Sequence, residues 1–244
     1  MRVVIVLALV GAALAAPQHE FWKSEESAQR IVGGVGVIIN EYPFMSQMVV
    51  RSWSQYEILC GSTLISTRAA LTAARCFLHS DISAWRIRVG SSFVNGGGVH
   101  YSIDAFIIHP EHIAPAIHND IAVVKIASPL VLSNTVGIAT LAVPGSVVAD
   151  NDVVTADLVH LGTIPEFENI PPVTPDIICA GILDIGGRGT CGGDPGGPLI
   201  HNSKVVSIIT RGHSCAQPYF PGVSVSVAYH YEWIAETANL NEEQ

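Results

Sequence analysis

Short apolar runs, separated by turn-forming residues, constrain this chain most. They lie at residues 44–51, 58–66, 69–72, 85–89, 103–109 and 121–126, broken by Gly, Asn, Pro or Ser. Such runs are too short for an ordinary helix and have the length and β-branched content of strands. Strand following strand at this rhythm, with no long helical pattern between, predicts an antiparallel all-β sandwich or barrel rather than βαβ units. The pattern changes only at 229–240, where Trp233, Ile234 and Leu240 recur near helical spacing and predict a C-terminal helix.

Composition agrees with a well-cored protein. Of 244 residues, 49% are hydrophobic and 14% charged, which argues against disorder. The net charge is −9, with no basic run and no aromatic–basic interleaving, so no nucleic-acid partner is expected. An acidic surface mainly favours solubility.

The N-terminus reads as a leader. Met1-Arg2 precedes an apolar run over 3–16 that ends in Ala13-Leu14-Ala15. That is a basic start, an apolar stretch and a small-residue cleavage site, so 1–15 is expected to be a secretory signal peptide. The run is short for a bilayer span. A secreted, extracellular chain without membrane attachment after signal removal follows. Residues 16–30 are polar, close on Arg30 and read as a propeptide, and no N-x-S/T sequon is present. The cysteines are Cys60, Cys76, Cys179, Cys191 and Cys215, an odd count that leaves one thiol over or pairs it between chains.

The most specific stretch is Cys191-Gly192-Gly193-Asp194-Pro195-Gly196-Gly197-Pro198-Leu199. Upstream, in order, stand Ile31-Val32-Gly33-Gly34, Cys60-Gly61-Ser62-Thr63-Leu64-Ile65, Leu71-Thr72-Ala73-Ala74-Arg75-Cys76, Asn119-Asp120-Ile121-Ala122 and Ile178-Cys179-Ala180-Gly181. Together these resemble the trypsin/chymotrypsin-like serine proteases, of insect type, over about residues 31–240. The resemblance implies two packed antiparallel six-stranded β-barrels with a C-terminal helix, a cleft between the barrels, and a single protease domain at 31–244 split near 130–140.

Roles follow residue by residue. The resemblance makes Asp120 the retained acid of the catalytic relay and puts Arg75 where the family has its histidine base. Pro195 stands at the nucleophilic serine. Proline has neither hydroxyl nor backbone N–H, so the family's oxyanion site keeps only the Gly193 donor. Arginine stays protonated and offers no acceptor lone pair; Arg75 is expected to turn onto Asp120 as an ion pair, with a bidentate geometry available.

Cleavage after Arg30 would free Ile31 to pair with Asp194. The pocket aligns with Gly189 at its floor and with Thr210, Arg211, Gly212 and Gly222 on its walls; Arg211 replaces an aromatic platform. Cys60–Cys76 and Cys191–Cys215 are the implied disulfides. Cys179 is the free thiol, read as a buried filler, with an intermolecular link as the alternative. His109, His112 and His118 lack a Cys or carboxylate partner at metal spacing, and 91–101 carries no acid, so neither metal nor cofactor is expected.

With both reactive positions altered, the chain is expected not to be an enzyme. It would be a monomeric homologue that binds protease inhibitors, peptide substrates or active proteases, in an extracellular setting such as a digestive lumen. The alternative is an active serine-type endopeptidase, with Arg75 and Pro195 as errors of the sequence.

Overall fold

The computed structural model of the chain describes residues 31–32, 36–52, 55–77, 81–93, 96–114, 116–149, 153–154, 158–159, 174–182, 185–187, 189–190, 195–211 and 217–240. In chain order its strands are β1 (Ile31–Val32), β2 (Met45–Ser52), β3 (Gln55–Ser66), β4 (Ala69–Thr72), β5 (Trp85–Val89), β6 (Val99–Ile108), β7 (Ala122–Ile126), β8 (Val153–Val154), β9 (Leu158–Val159), β10 (Ile177–Ala180), β11 (Gly189–Thr190), β12 (Pro198–His201), β13 (Lys204–Arg211) and β14 (Gly222–Ser226). One helix, α1 (Tyr231–Ala238), follows. The leader and propeptide expected at 1–30 lie outside the described residues.

Strands β2 to β7 close into a barrel in the order β2-β3-β4-β7-β6-β5, every neighbour antiparallel. Ladder shifts at Met48/Val49, Leu64/Ser66 and Ile103/Ala105 let these strands bend round. Strands β4 and β7 are apolar at nearly every position because both of their faces are buried. Ala70, Ala122, Val124 and Ile126 point into the barrel with Met48, Leu64, Trp85 and Ile87. Their neighbours Ala69, Leu71 and Val123 point the other way, onto Val205, Ile208, Val225, Ile234 and Ala238. The two-residue period thus assigns alternate side chains of one strand to two cores. Inside the barrel Phe77 and Phe106 stack with centroids 3.7 Å apart, and Trp85 meets Phe77 edge-on at 5.1 Å.

The second half is built on a four-stranded antiparallel sheet, β10-β14-β13-β12, with the short pairs β8–β9 and β1–β11 beside it. The chain crosses between the halves over 127–142: Leu130 and Ala139 donate to Thr67 and Leu64 of the barrel side, and Ala142 donates to Val205. Helix α1 buries Ile234, Ala235 and Ala238 against the shared core. It stops where Asn239 takes a left-handed conformation (φ 60°) and its N–H returns to Ala235 and Glu236 carbonyls. None of the described helices is long and apolar enough to cross a membrane.

Candidate functional site

The site lies where the barrel meets the second sheet, and three chain segments deliver it. The first follows β4. The strand ends at Thr72, Ala73 is buried, and a 3-10 turn over Ala74–Phe77 presents Arg75. Cys76 in that turn is bonded to Cys60 of β3, which ties the turn to the barrel wall. Thr72 Oγ1 adds a hydrogen bond to the Gly61 carbonyl at 2.8 Å.

The second segment precedes β7. Asn119 sits at φ 53°, a conformation asparagine tolerates, and directs Asp120 inward, where it is fully buried. One carboxylate oxygen accepts the Arg75 backbone N–H at 2.8 Å, and the other accepts Arg75 Nε. The pair is therefore made through a single guanidinium nitrogen plus a main-chain donor, and the fork of Nη groups is not spent on Asp120. Burial forces this arrangement, since a carboxylate removed from water needs compensating donors.

A third neighbour was not read from the sequence. His112 Nε2 lies 3.9 Å from Asp120 Oδ1, its side chain almost fully buried, while its Nδ1–H donates to the His118 carbonyl at 3.2 Å. His112 precedes Asp120 by eight positions of non-helical, non-strand sequence, so no periodicity signals the contact. The same loop is stitched to the second half. His118 Nδ1 approaches Asp176 Oδ2 at 3.2 Å and Thr174 Oγ1 at 3.2 Å, and His230 Nε2 meets Asn119 Oδ1 at 2.8 Å. Burial pushes the Asp176 carboxyl up, but hydrogen bonds from Thr174 and His118 outweigh it and leave the group below its ordinary value. Burial holds His230 and His109 below the usual imidazole value; for His109 the neighbouring His230 adds to this.

The third segment is the turn 195–197. The Pro195 carbonyl accepts from Gly61 N–H at 2.8 Å. Gly196 N–H donates to the Ile209 carbonyl, and Ile209 N–H returns to the Gly197 carbonyl. The turn is held by β3 on one side and β13 on the other. Gly196 has φ 88°, and a Cβ there would lie 2.2 Å from both the Gly61 carbonyl oxygen and Thr72 Oγ1, so only glycine fits. Pro195 is half-buried.

Of the aligned pocket residues, Gly189 pairs with Val32, and its neighbour Thr190 pairs with Ile31, which sets β1 beside β11. Gly222 opens β14 so close to Thr190 that a Cβ would meet Thr190 Oγ1 at 2.6 Å. Thr210 Oγ1 donates to the Val223 carbonyl at 2.9 Å, and Arg211 ends β13 with an exposed side chain. Cys179 is a buried free thiol in β10, its pKa pushed up to about 11 by burial. Arg30, Gly193, Asp194, Gly212 and the cysteines Cys191 and Cys215 lie outside the described residues.

Chemically, the arrangement presents a buried carboxylate, a guanidinium bonded to it through Nε, and a backbone turn. No oxygen nucleophile comes from Pro195 and no proton acceptor from Arg75.

A protein-family model described as Trypsin matches residues 31–234. Among curated relatives, Trypsin CFT-1 of Choristoneura fumiferana is 34% identical over 87% of this chain and 93% of its own length. Trypsin, alkaline C of Manduca sexta is 34% identical over 86% and 91%, and Trypsin of Phaedon cochleariae 31% identical over 98% and 100%.

These relatives correct the expectation that the chain is no enzyme. That expectation weighed two side chains, Arg75 and Pro195. The relatives named trypsins match 86–98% of the chain, and the stretch matched by the family model, 31–234, includes the barrel, the buried Asp120 and the Gly196 turn.

Proposed function

Since the chain belongs to the trypsin family, we propose that it works on polypeptide, taking up an extended segment of a peptide substrate or of a protease inhibitor in the cleft beside the 195–197 turn. One observation carries this. Strand β12 begins at Pro198, opposite Ile208, so Thr210 and Arg211 of β13 have no described strand on the β12 side. An open main-chain edge of this kind pairs with an incoming extended chain.

The remainder of the reading comes with the family. The chain is secreted, extracellular and monomeric, in a setting such as a digestive lumen, and needs no cofactor. Cleavage after Arg30 frees Ile31 for Asp194. Active proteases are further partners.

A second reading, peptide-bond hydrolysis by the chain itself, is favoured by the relatives' names. Serine chemistry at this turn needs an oxygen at 195 and an acceptor nitrogen at 75, so this reading expects Ser and His there on re-sequencing of the gene.

The test takes the purified chain, sequence verified, before and after cleavage at Arg30. Retention on an immobilised proteinaceous protease inhibitor, competed by free inhibitor, is the expected result for polypeptide uptake. Labelling by a fluorophosphonate probe with turnover of a peptide ester supports the second reading. A chain that is neither retained nor labelled overturns both.

A further inference from the structure

We propose that His230 is a positioning residue acting across the join of the two halves: through the Asn119 side chain, protonation of its ring sets how the loop holding Asp120 is braced, and so makes the Arg75–Asp120 pair respond to pH. The coupling is a property of the chain alone and does not depend on what the site takes up.

His230 is buried, stands just ahead of α1 and lies 111 positions from Asn119 in sequence. Both of its ring nitrogens face oxygens: Nδ1 is 2.8 Å from the Ser226 carbonyl, and Nε2 is 2.8 Å from Asn119 Oδ1. Two facing acceptors require an N–H on each nitrogen, which is the pattern of the imidazolium form. With Oδ1 so engaged, Asn119 Nδ2 donates to the Glu111 carbonyl at 3.5 Å. One side chain thus braces two places, the start of α1 and the loop that carries His112, itself 3.9 Å from Asp120.

The neutral ring needs a different arrangement. Nδ1 keeps its proton for Ser226, Nε2 becomes an acceptor, and the Asn119 amide must turn half a rotation to offer Nδ2 to it. Oδ1 then faces the Glu111 carbonyl, two acceptors repel, and that brace is lost. Asn119 holds the left-handed backbone (φ 53°) beside Asp120, and its carbonyl accepts the Ile121 N–H at 2.8 Å across that residue. A change in how its side chain is tied therefore acts one residue from the carboxylate that accepts the Arg75 backbone N–H.

Burial holds His230 below the usual imidazole value of 6.5, while the hydrogen bond to Ser226 and the charges of Asp176 and Glu111 work against burial. His109 and Tyr229 lie against the ring, with centroids at 5.1 and 4.9 Å, and His118 pairs with the same Asp176. The ring is therefore neutral at about pH 7 and above, and gains its proton, and with it the Glu111 brace, on acidification.

Nuclear magnetic resonance of the purified chain, titrated from about pH 8 to about pH 5, tests this. Long-range proton–nitrogen spectra give the midpoint and tautomer of each imidazole, and the Arg75 amide reports its bond to Asp120. The Arg75 amide shift is expected to move with the His230 midpoint and to stop moving in His230→Gln. In Asn119→Asp it should move at higher pH, because the new carboxylate favours the charged ring and raises its midpoint by about one unit. A residue that only fills space would not carry the midpoint with it. Asn119→Asp keeps the test usable if His230→Gln fails to fold, since aspartate also accepts a left-handed backbone. An Arg75 amide that stays still over this range, that follows the midpoint of His109, His112 or His118 instead, or whose midpoint is unmoved by Asn119→Asp overturns the coupling.

Discussion

Replacing Arg75 with methionine keeps much of the side chain's length and removes its charge and its Nε donor. Asp120 is fully buried and the Arg75 side chain only 23% exposed. Removing one partner of a buried pair costs about 3–5 kcal/mol, because the other charge is left uncompensated. Two features reduce that figure here: the Arg75 side chain is partly solvated, and the Arg75 backbone N–H, at 2.8 Å, stays with Asp120. The expected loss is about 2–3 kcal/mol. With a urea slope of about 2–3 kcal/mol per molar, the unfolding midpoint should fall by about 1 M. Equilibrium urea unfolding, followed by tryptophan fluorescence, measures it. A double-mutant cycle with Asp120→Asn isolates the pair and should return a coupling of about 2 kcal/mol. His112 is the nearest remaining imidazole, at 3.9 Å, so Arg75→Met with His112→Gln should lose more than the two changes added. A midpoint shift under about 0.2 M, or a coupling near zero, would refute the view that Arg75 compensates the buried Asp120.

Further outcomes follow from other parts of the site. Gly196→Ala should cost about 3–5 kcal/mol, combining a left-handed backbone with overlap at Gly61 and Thr72, and should appear as loss of soluble protein or a steep drop in thermal midpoint. Replacing Cys60 and Cys76 with serine opens a loop with a sequence separation of 16 and should cost about 3 kcal/mol in the same urea assay. Cys179 should resist iodoacetamide in the native protein at mildly alkaline pH and react on unfolding, as mass spectrometry of the alkylated chain will report. His109 and His230 are held below their ordinary value, so the unfolded chain takes up protons first as pH falls through about 6.5. Stability is therefore full above that pH and declines below it, and the depressed Asp176 adds a further loss below about pH 4. Melting temperatures from pH 7.5 to 5 should fall, and His109→Gln should flatten the fall.

Much of the barrel was legible because its strands bury apolar side chains in continuous runs. The stretches at 69–72 and 85–89 match β4 and β5 in full. The edges were not legible where strands run out into solvent. Strand β6 begins at Val99 rather than 103, since its first residues are mostly exposed and His100 and Ser102 break the apolar run, and β3 begins at Gln55, where Gln55 and Glu57 are likewise polar and exposed. In the site, the motif spacing gave Asp120 and Arg75 their positions. It did not give the single-nitrogen geometry of the pair, which depends on where the 3-10 turn aims the backbone N–H. The approach of His112 to Asp120 was not legible because it is a product of loop path. The weight placed on Arg75 and Pro195 was also too great for deciding enzyme class, which the relatives named trypsins, matched along the chain, correct.

The clasp on residues 195–197 has a dynamic corollary. Gly61 N–H from the barrel and Ile209 N–H from the second sheet both end on carbonyls of this one short turn. Neither amide can open to solvent without disturbing the turn, so their hydrogen-exchange rates should rise and fall in step although their strands belong to different halves. A molecule seated on the turn would slow both amides by the same factor, making this pair a reporter of occupancy that needs no knowledge of the occupant.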